Sequence, residues 1–497
     1  MDNSAAYLGI DQGSGSTKAL VLDGNGRHLQ EFHAAVPARI EDGRRVEQDP
    51  EGILESVLDI FARAKSWSQS NGLQIKGAGL AVQRSGVLAW NAADGRVRHP
   101  MMTWADTRTQ PTIEGFGRGV ERISLLTGLP TIAHFAAGKI HLLQRQFLEP
   151  SVHVATLDAF LLFRLSGKRL FVTDDTMAAR TMLYALNERG WSESLCREFA
   201  VDQKRLPKIV PSLGFLAERE EVPFVALLGD QQAALIGRSG ARRRPLLNLG
   251  TIASLTKDTG FSPVQRPGLM TSVLLSRLVP NGFTRELRYL AELTSPVTGT
   301  VLLEPLRRSW AASSEELQAL CESALAASPD GMATAYFVDR RAASPTSSES
   351  MPNVTVCKPG AGVQDRARAV VENVGNIIVR MLEEFSEKKL LGDTFPAEID
   401  VAGGGSELDY LLQYISDVSG HTLFRLPARE AGARGAALSA WMHLHGEFDV
   451  TALNSGDEPA NTYRCQSPER RKRFLMWQKL EQDIINKRLP PQAEVEP

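Results

Sequence analysis

The sequence predicts an α/β protein that contains a repeated strand–turn–strand unit. Strand-like and helix-like stretches alternate through the first half of the 497 residues. Residues 7–23 place two apolar runs around a Gly- and Ser-rich turn, a pattern typical of a β-hairpin. Residues 246–258 show a similar pattern about 240 residues later, which indicates a duplicated α/β unit.

The composition indicates an ordinary globular protein, and its few cysteines suit a reducing compartment. The chain is 43% hydrophobic and 23% charged, and 497 residues are enough for two or three domains. A formal net charge of -2 provides no basic field for nucleic acid or an anionic membrane. The four cysteines form no CxxC pair, and the N-terminus lacks a signal-peptide pattern. We therefore expect a cytoplasmic protein without a nucleic-acid or membrane partner; a homodimer or homotetramer is compatible with the sequence.

The elements before the second hairpin can be read in order. A helix is predicted from Pro50, because a proline suits the first helical turn and apolar residues follow at helical spacing. Residues 75–90 predict two strands around a polar turn that contains Arg84. Residues 222–237 predict a strand that runs into a helix, with Asp230 at the junction. The helix from Pro50 is expected to bury its apolar side chains, which are Ile53, Val57, Ile60 and Phe61.

The second half of the sequence predicts one long loop and four helices. Residues 338–363 are rich in Ser, Pro and Gly and predict a loop. A long amphipathic helix follows from residue 365, and residues 398–420 predict a strand, a glycine turn and a helix. Residues 430–444 predict a helix of small side chains that can pack closely on a neighbour. The last predicted helix starts with a basic run, residues 469–473, which is expected to be solvated.

The turn in residues 11–18, DQGSGSTK, has the composition of a phosphate-binding loop. A Walker loop requires GxxxxGK[ST] before a helix, and this spacing fails. A dinucleotide fingerprint requires GxGxxG at a helix start, but Lys18 occupies the third glycine position and a strand follows. The remaining interpretations are the phosphate hairpin of actin-like ATPases, in which backbone N–H groups hold phosphate, and an ordinary Gly/Ser hairpin. In the phosphate hairpin, Asp11 would reach Mg²⁺ through water.

Further elements in the expected order favour the phosphate hairpin. Residues 249–256 resemble a second such hairpin, and the glycines from Gly403 onward suit a loop against which a flat purine can lie. Asp230 lies between these hairpins at a strand end, where a carboxylate can accept a proton from an alcohol during phosphoryl transfer. The alternative role of Asp230 is to cap the following helix.

Nearly the whole chain resembles the FGGY carbohydrate kinase family, and within it the glycerol kinase branch. The resemblance rests on YLGIDQGSGSTKALVLD, RRVEQDP, MMTWADTRT, TLDAFLLFRLSG, VTDDTMAARTMLY, GDQQAAL, VAGGGSELDYLLQYISDVSG and EAGARGAAL. It implies two actin-like, ribonuclease H-like domains that flank a cleft for nucleotide and substrate. We assign residues 1–243 to the N-terminal domain, 244–450 to the C-terminal domain, and 451–497 to a polar tail with a helix.

The resemblance also implies the roles of individual residues in transfer of the ATP γ-phosphate to a hydroxyl of a polyol or sugar. Asp230 falls on the catalytic base, and Asp11 on the residue linked to Mg²⁺. The expected substrate-binding residues are Arg84, Ser85, Trp104, His134, Asp230 and Gln231. The expected ATP-binding residues are Gly13, Ser14, Gly15, Ser16, Lys18, Gly250, Thr251, Gly403, Gly404 and Glu407.

Three positions depart from the glycerol kinase pattern at the substrate end. Ser85 stands where the resemblance implies a glutamate, His134 where it implies a tyrosine, and Ser254 where it implies a phenylalanine. Loss of hydrogen-bonding partners changes which substrate a site accepts. A polyol, ketose or sugar acid larger than glycerol, or differently oxidised, is therefore expected. Glycerol kinase activity proper and a catalytically weak nucleotide or sugar sensor remain the alternatives. Residues 335–363 also match the family poorly.

Overall fold

The structure is a computed structural model of the chain. It describes residues 4–115, 119–167, 170–239, 244–250, 253–266, 268–279, 282, 284–295, 313–336, 353–387, 396–427, 430–450, 453, 459–491 and 493–496. Among these residues, no helix is both long and apolar enough to cross a membrane.

The chain divides into two compact units that interleave in sequence. The first unit comprises residues 1–243, 258–291 and 429–456. The second unit comprises residues 244–257, 292–428 and 457–497. The three predicted domains are contiguous in sequence, whereas each compact unit combines three separate segments.

The first unit contains a mixed sheet that includes the first hairpin. In this hairpin, Ala5–Gln12 pairs antiparallel with Ser16–Asp23 and Asp11 lies opposite Lys18, as the sequence predicts. Ala5–Gln12 is parallel to Gln74–Val82, which is parallel to Val222–Gly229. The carboxyl ends of these three strands therefore meet at one edge. The strand order is Met270–Leu278, Leu213–Arg219, Val222–Gly229, Gln74–Val82, Ala5–Gln12, Ser16–Asp23 and His28–Ala35.

In the described part of the chain, the first unit also contains a five-stranded sheet and two short strand pairs. The five-stranded sheet has the order Ile40–Asp42, Arg45–Gln48, Val97–Met102, Val87–Asn91 and Val152–Thr156. Val172–Asp174 pairs with Lys208–Val210, and Tyr184–Ala185 pairs with Gly190–Trp191.

The helix Pro50–Ser70 forms where the sequence predicts it. Asp49 caps it by accepting hydrogen bonds from the backbone of Glu51 at 3.1 Å and Gly52 at 3.3 Å. Its apolar face is buried in the same core as the first hairpin, and each large apolar side chain buried there contributes about 1.5–3 kcal/mol. The other helices of the unit are Gln110–Glu114, Gly119–Thr127, Ala136–Gln146, Leu157–Leu165, Asp175–Ala178, Glu193–Glu198, Gln203–Arg205, Asp230–Ser239 and Ala431–His445.

The helix Ala431–His445, which we call the small-residue helix, packs against the sheet and against Asp230–Ser239 through glycines. A Cβ atom added at Gly435 would lie 1.7 Å from the carbonyl oxygen of Ala233. A Cβ atom added at Gly9 would lie 1.8 Å from the carbonyl oxygen of Ala433. These distances leave no room for a methyl group, so the close packing predicted for this helix is confirmed.

The second unit contains the second hairpin, in which Leu246–Leu249 pairs antiparallel with Ala253–Gly260. The last three residues of that strand, 258–260, group with the first unit, and the strand Arg285–Ser295 contains another boundary, after residue 291. The sheet of the second unit has the order Asn461–Tyr463, Thr422–Arg425, Glu398–Ala402, Leu246–Leu249 and Ala253–Gly260. Within the described residues of this unit, the helices are Ser314–Ala327, Val363–Glu387, Gly404–Glu407, Asp409–Ser419, Pro468–Arg470 and Arg471–Ile485.

The predicted loop over residues 338–363 is wrong for its last part. Asn353–Cys357 forms a strand that pairs antiparallel with both Ala333–Tyr336 and Ala493–Glu496. The sequence NVTVC alternates with a period of two and contains β-branched residues, which suit a strand once partners lie on both sides. Residues 337–352 lie outside the described part of the chain.

Candidate active site

Three of the predicted site residues follow the three parallel strands of the first unit to the same edge. Asp11 is opposite Ala81 in the sheet, and Gly229, the residue before Asp230, is opposite Val82. Arg84 comes two residues after Val82. Because parallel strands end at a common edge, the carboxylates of Asp11 and Asp230 and the guanidinium of Arg84 lie in one neighbourhood.

Arg84 and Asp230 form an ion pair at this edge. Nε of Arg84 lies 3.2 Å from Oδ1 of Asp230. Arg84 also donates from Nη1 to Oε1 of Gln232 at 3.4 Å, and Gln232 donates from Nε2 to the carbonyl of Val273 at 3.2 Å. The predicted substrate residue Gln231 instead donates its backbone N–H to Oδ1 of Asp230 at 2.8 Å. Gln232, which the sequence reasoning missed, therefore fixes the arginine from the other side.

A hydrogen-bonded chain in the first unit fixes the backbone just before Asp230. The backbone N–H of Gly229 donates to Oγ1 of Thr176 at 2.8 Å. Thr176 Oγ1 donates to Oδ1 of Asp174 at 2.9 Å, and Asp174 also accepts from the backbone of Thr176 and Met177 as the cap of a short helix. Asp174 is completely buried. Because the chain of bonds ends at the N–H of Gly229, the residue before Asp230, it limits where that carboxylate can point.

The turn of the first hairpin is compact and open to ligands. The backbone N–H of Gly13 donates to the carbonyl of Ser16 at 3.0 Å, and the carbonyl of Ser14 accepts from Nε2 of Gln48 at 3.2 Å. Gly15 is exposed, and a Cβ atom there would meet nothing within 4 Å. Lys18 lies 2.7 Å from a carboxylate oxygen of Glu430. The predicted phosphate-binding lysine is thus paired with an acid that the sequence reasoning missed.

The negative charge of Asp11 is disfavoured in the folded protein. Its Oδ1 is buried and has no hydrogen-bond partner within the described residues. Burial raises the pKa of Asp11 from 3.8 to about 7; the charge of Asp230 adds to this rise, Lys18 opposes it, and Glu430 adds a smaller rise. A Cβ atom at Gly432 would lie 2.1 Å from Oδ2 of Asp11, so a larger residue there would displace the carboxylate.

Asp11, Asp230 and Glu430 together suit a cation that keeps most of its bound water. In the described part of the chain, no group of three or more His, Cys, Asp or Glu side chains could hold a metal ion directly. Mg²⁺ commonly binds through one or two carboxylates, with water and phosphate oxygens as the other ligands. An unpaired buried oxygen of Asp11, near Asp230 and Glu430, fits this mode because a cation would relieve the mutual repulsion of the three acids.

Replacing Asp11 with Asn is expected to stabilise the ligand-free protein by about 1–3 kcal/mol above about pH 7. The folded protein holds the Asp11 proton more tightly than the unfolded chain does, because the folded pKa is raised to about 7. Ionisation of Asp11 therefore costs stability, and this cost grows from about pH 4 to about pH 7 and then stays constant. Asn carries no charge, so the gain should vanish near pH 4.

Urea unfolding of the two proteins at about pH 4 and about pH 8 measures this difference. Asp59→Asn is the matched control, because Asp59 is an exposed carboxylate on the helix Pro50–Ser70. A stability gain for Asp11→Asn that is equal at both pH values would contradict the assignment of the cost to the Asp11 charge.

The predicted substrate residues Ser85, Trp104 and His134 also lie together in the first unit. The ring centroids of Trp104 and His134 are 5.7 Å apart. Ser85 has a backbone φ of 66°, which is in the left-handed region that favours glycine, and its buried Oγ has no hydrogen-bond partner among the described residues. Lys139 connects the two segments, because its Nζ donates to the carbonyls of Ser85 at 3.0 Å and His134 at 2.8 Å.

The second unit brings its own candidate nucleotide residues to one edge. Leu246–Leu249 and Glu398–Ala402 are parallel, so Gly250 and Gly403 follow adjacent strand ends. Gly403 has a φ of 89°, and a Cβ atom there would lie 2.6 Å from the carbonyl carbon of Leu249. The remaining predicted residues are Gly404 and Glu407, which are exposed, and Thr251, which lies outside the described residues. Ser254 is buried in the second strand of the hairpin.

Comparisons with known proteins agree with this architecture. The profile of the FGGY family of carbohydrate kinases, N-terminal domain, matches residues 6–237. A glycerol kinase from Gloeobacter violaceus is 30% identical over 454 residues, which cover 88% of this chain and 88% of that protein.

Solved structures show the same fold. The crystal structure of Plasmodium falciparum glycerol kinase with ADP is 18% identical and superposes with a TM-score of 0.85, over 97% of this chain and 98% of that one. A xyloylose kinase from Brucella ovis is 19% identical with a TM-score of 0.81, over 97% of this chain and 100% of that one. The predicted α/β fold class of two actin-like, ribonuclease H-like domains is confirmed. Together with the sequence matches, this shows that the chain belongs to the FGGY family of carbohydrate kinases.

Proposed function

We propose that this protein is an ATP-dependent kinase that transfers the γ-phosphate of ATP to a hydroxyl group of a polyol or sugar other than glycerol. The phosphotransferase class follows from the family. The observation that carries the assignment of the site is the pair of Arg84 and Asp230, which lies at the same strand edge as Asp11. Phosphoryl transfer to an alcohol uses a proton acceptor, a group that positions the alcohol and an acid linked to the metal ion. Asp230, Arg84 and Asp11 supply these groups in that order.

In this proposal Asp230 accepts the proton of the acceptor hydroxyl as its oxygen attacks the γ-phosphorus. The bond from the γ-phosphorus to the bridging oxygen breaks, and ADP leaves with that oxygen. Arg84 orients the carboxylate of Asp230 and donates to neighbouring hydroxyls of the acceptor. The Thr176 hydrogen bond to Gly229 keeps Asp230 in place while the proton moves. Positioning of this kind is the main contribution of a protein to phosphoryl transfer, since little covalent chemistry falls to its side chains.

The nucleotide end is assigned to the hairpin turns and to the glycines of the second unit. Gly13 shapes the first turn, since its N–H donates to the carbonyl of Ser16. Ser14, Gly15 and Ser16 supply backbone N–H groups and hydroxyls in a turn that is open to a ligand, and Lys18 supplies a positive charge. Mg²⁺ would be held by Asp11 through water, and when bound it would neutralise charge on the phosphates. The proposal includes Gly250, Thr251, Gly403, Gly404 and Glu407 as ATP-binding residues of the second unit.

The acceptor is proposed to be a larger polyol, a ketose or a sugar acid. Ser85 cannot supply the second carboxylate acceptor that a glutamate would provide for glycerol hydroxyls. Its buried Oγ instead offers one hydroxyl that lacks a partner within the described part of the chain. A site built to hydrogen-bond a given hydroxyl pattern discriminates strongly against molecules that leave its polar groups unpaired.

An acceptor panel tests this function. Release of ADP is followed with glycerol, erythritol, pentuloses, hexuloses and aldonates, each with Mg²⁺ and ATP. We expect glycerol to have a kcat/KM at least about 10-fold below that of the best acceptor. Glycerol as the clear best acceptor would contradict the interpretation of Ser85, His134 and Ser254. ADP release that does not depend on any acceptor would contradict the kinase assignment itself.

A further inference from the structure

Lys139 is a buried cation that the proposed chemistry does not use directly. It lies in the helix Ala136–Gln146, and its side chain is 0% exposed. Burial of an ammonium group costs several kcal/mol unless its hydrogen bonds are replaced and its charge is compensated. A lysine in such a place therefore calls for a specific role, since methionine would fill the same volume without this cost.

The hydrogen bonds of Lys139 join two of the three segments at which the sequence departs from the glycerol kinase pattern. In the described residues its Nζ donates to two main-chain carbonyls, those of Ser85 at 3.0 Å and His134 at 2.8 Å. Ser85 and His134 are 49 positions apart in sequence, from 85 to 134, and belong to different turns. One ammonium group thus sets the distance between the backbone of these two turns.

Each of the two turns needs such a restraint. Ser85 holds a φ of 66°, which costs a residue other than glycine about 1–3 kcal/mol unless its surroundings fix it. The ring centroid of His134 lies 5.7 Å from that of Trp104 and 5.0 Å from that of Phe135. Movement of the His134 backbone would therefore shift its ring relative to these two rings. Both effects alter the shape of the substrate end without contact between Lys139 and a substrate.

The surroundings of Lys139 favour a directional role over a simple ion pair. Burial lowers the pKa of Lys139 to about 7, and the charge of Asp106 acts in the opposite direction. The carboxylate of Asp106 already accepts other hydrogen bonds. Nε of Arg108 donates to its two oxygens at 3.1 Å and 3.0 Å, and the backbone N–H of Val46 donates to it at 3.0 Å. The strongest directional bonds of the ammonium group are therefore those to the two carbonyls.

We propose that Lys139 is a positioning residue that sets acceptor specificity by holding the carbonyls of Ser85 and His134 at a fixed separation. This inference rests on the proposed function. Lys139 acts on the acceptor through the two turns, so its loss should change which hydroxyl compound is preferred. It should not change the affinity for ATP, because the hydrogen bonds of Lys139 within the described residues go to Ser85 and His134 and to none of the predicted nucleotide residues.

The test compares Lys139→Met and Lys139→Ala with the wild type on the two best acceptors of the panel. Methionine keeps the volume of the side chain, and alanine avoids any clash if methionine does not fit. Leu143→Ala is the matched control, because Leu143 is completely buried in the same helix but belongs to the apolar core. The readout is the ratio of kcat/KM for the two acceptors, which does not depend on how much of each variant is folded.

We expect the acceptor ratio to fall by about 10-fold in the Lys139 variants, with KM for ATP changed less than about 2-fold. Leu143→Ala should lower the melting temperature and leave the ratio unchanged. A wild-type ratio in either soluble Lys139 variant would overturn the inference and reduce Lys139 to a structural role. If the wild type shows no acceptor-dependent turnover, the proposed function and this inference both fail.

Discussion

Asp230→Asn is expected to lower acceptor-dependent turnover by about 10²- to 10⁴-fold, the usual contribution of a general base. Asparagine has nearly the same shape as aspartate and can still accept a hydrogen bond from Arg84, but it cannot take the hydroxyl proton. Nucleotide binding should therefore persist while the chemical step fails. Steady-state turnover on the preferred acceptor, together with ATP binding by calorimetry, measures the two effects separately.

Asp59→Asn serves as the control for the loss of a carboxylate, because Asp59 lies on the exposed side of the helix Pro50–Ser70, in an ion pair with Arg63. Its turnover should equal that of the wild type. Near-normal turnover of Asp230→Asn would show that Asp230 only caps the helix that it begins, which is the alternative that the sequence leaves open.

Gly435→Ala is expected to destabilise the protein by about 3 kcal/mol or more, a large effect for one methyl group. The added Cβ atom would lie 1.7 Å from the carbonyl oxygen of Ala233 and 2.9 Å from the backbone nitrogen of Gly237. These are backbone atoms, so the two helices must separate. Alanine would otherwise stabilise a helix interior by about 1 kcal/mol relative to glycine, so the sign of the effect is diagnostic.

The same substitution should also reduce turnover, since the helix Asp230–Ser239 begins with the proposed base and Glu430 precedes the small-residue helix. Gly214→Ala is the matched control, because a Cβ atom there meets nothing within 4 Å. Urea unfolding of both variants gives the comparison. A Gly435→Ala variant at least as stable as the wild type would contradict the described contact between the two helices.

The elements of the fold were largely predictable because their signals are local. The first hairpin has two apolar runs around a Gly- and Ser-rich turn, and the second has two such runs around a turn that begins at Gly250. The helix from Pro50 has both a proline start and an apolar face. The strand Asn353–Cys357 was missed because its partners, Ala333–Tyr336 and Ala493–Glu496, are distant in sequence. Without those partners, five residues beside a Ser- and Pro-rich stretch indicate only a loop.

The candidate site was predictable where a residue lies at a strand end, as Asp11 does, or directly follows one, as Asp230 does. Residues that reach the site through tertiary packing were not. Glu430 pairs with Lys18, more than 400 positions earlier in the chain, and no local pattern indicates this contact. Lys139 is similar, since its partners are main-chain carbonyls, which any residue type can supply.

The basic run at residues 469–473 shows the same limit in the second unit. It was expected to be solvated, but Arg473 is 7% exposed. It forms an ion pair with Glu372 and donates to the carbonyls of Asp330 at 2.7 Å and Ala333 at 3.1 Å. Trp477 lies one turn further along the same helix and is also buried, so Arg473 lies on the buried face. A charge on the buried face of a helix is predictable only when its partner is known.

The central claim is that the ATP γ-phosphate is transferred to an acceptor hydroxyl with Asp230 as the base. The most direct measurement uses ³¹P spectroscopy to follow ADP and any phosphate ester with the best acceptor of the panel. We predict one phosphate monoester of the acceptor for each ADP formed by the wild type. Formation of ADP with inorganic phosphate in place of the ester would contradict the account, because water and not the acceptor would then receive the phosphoryl group.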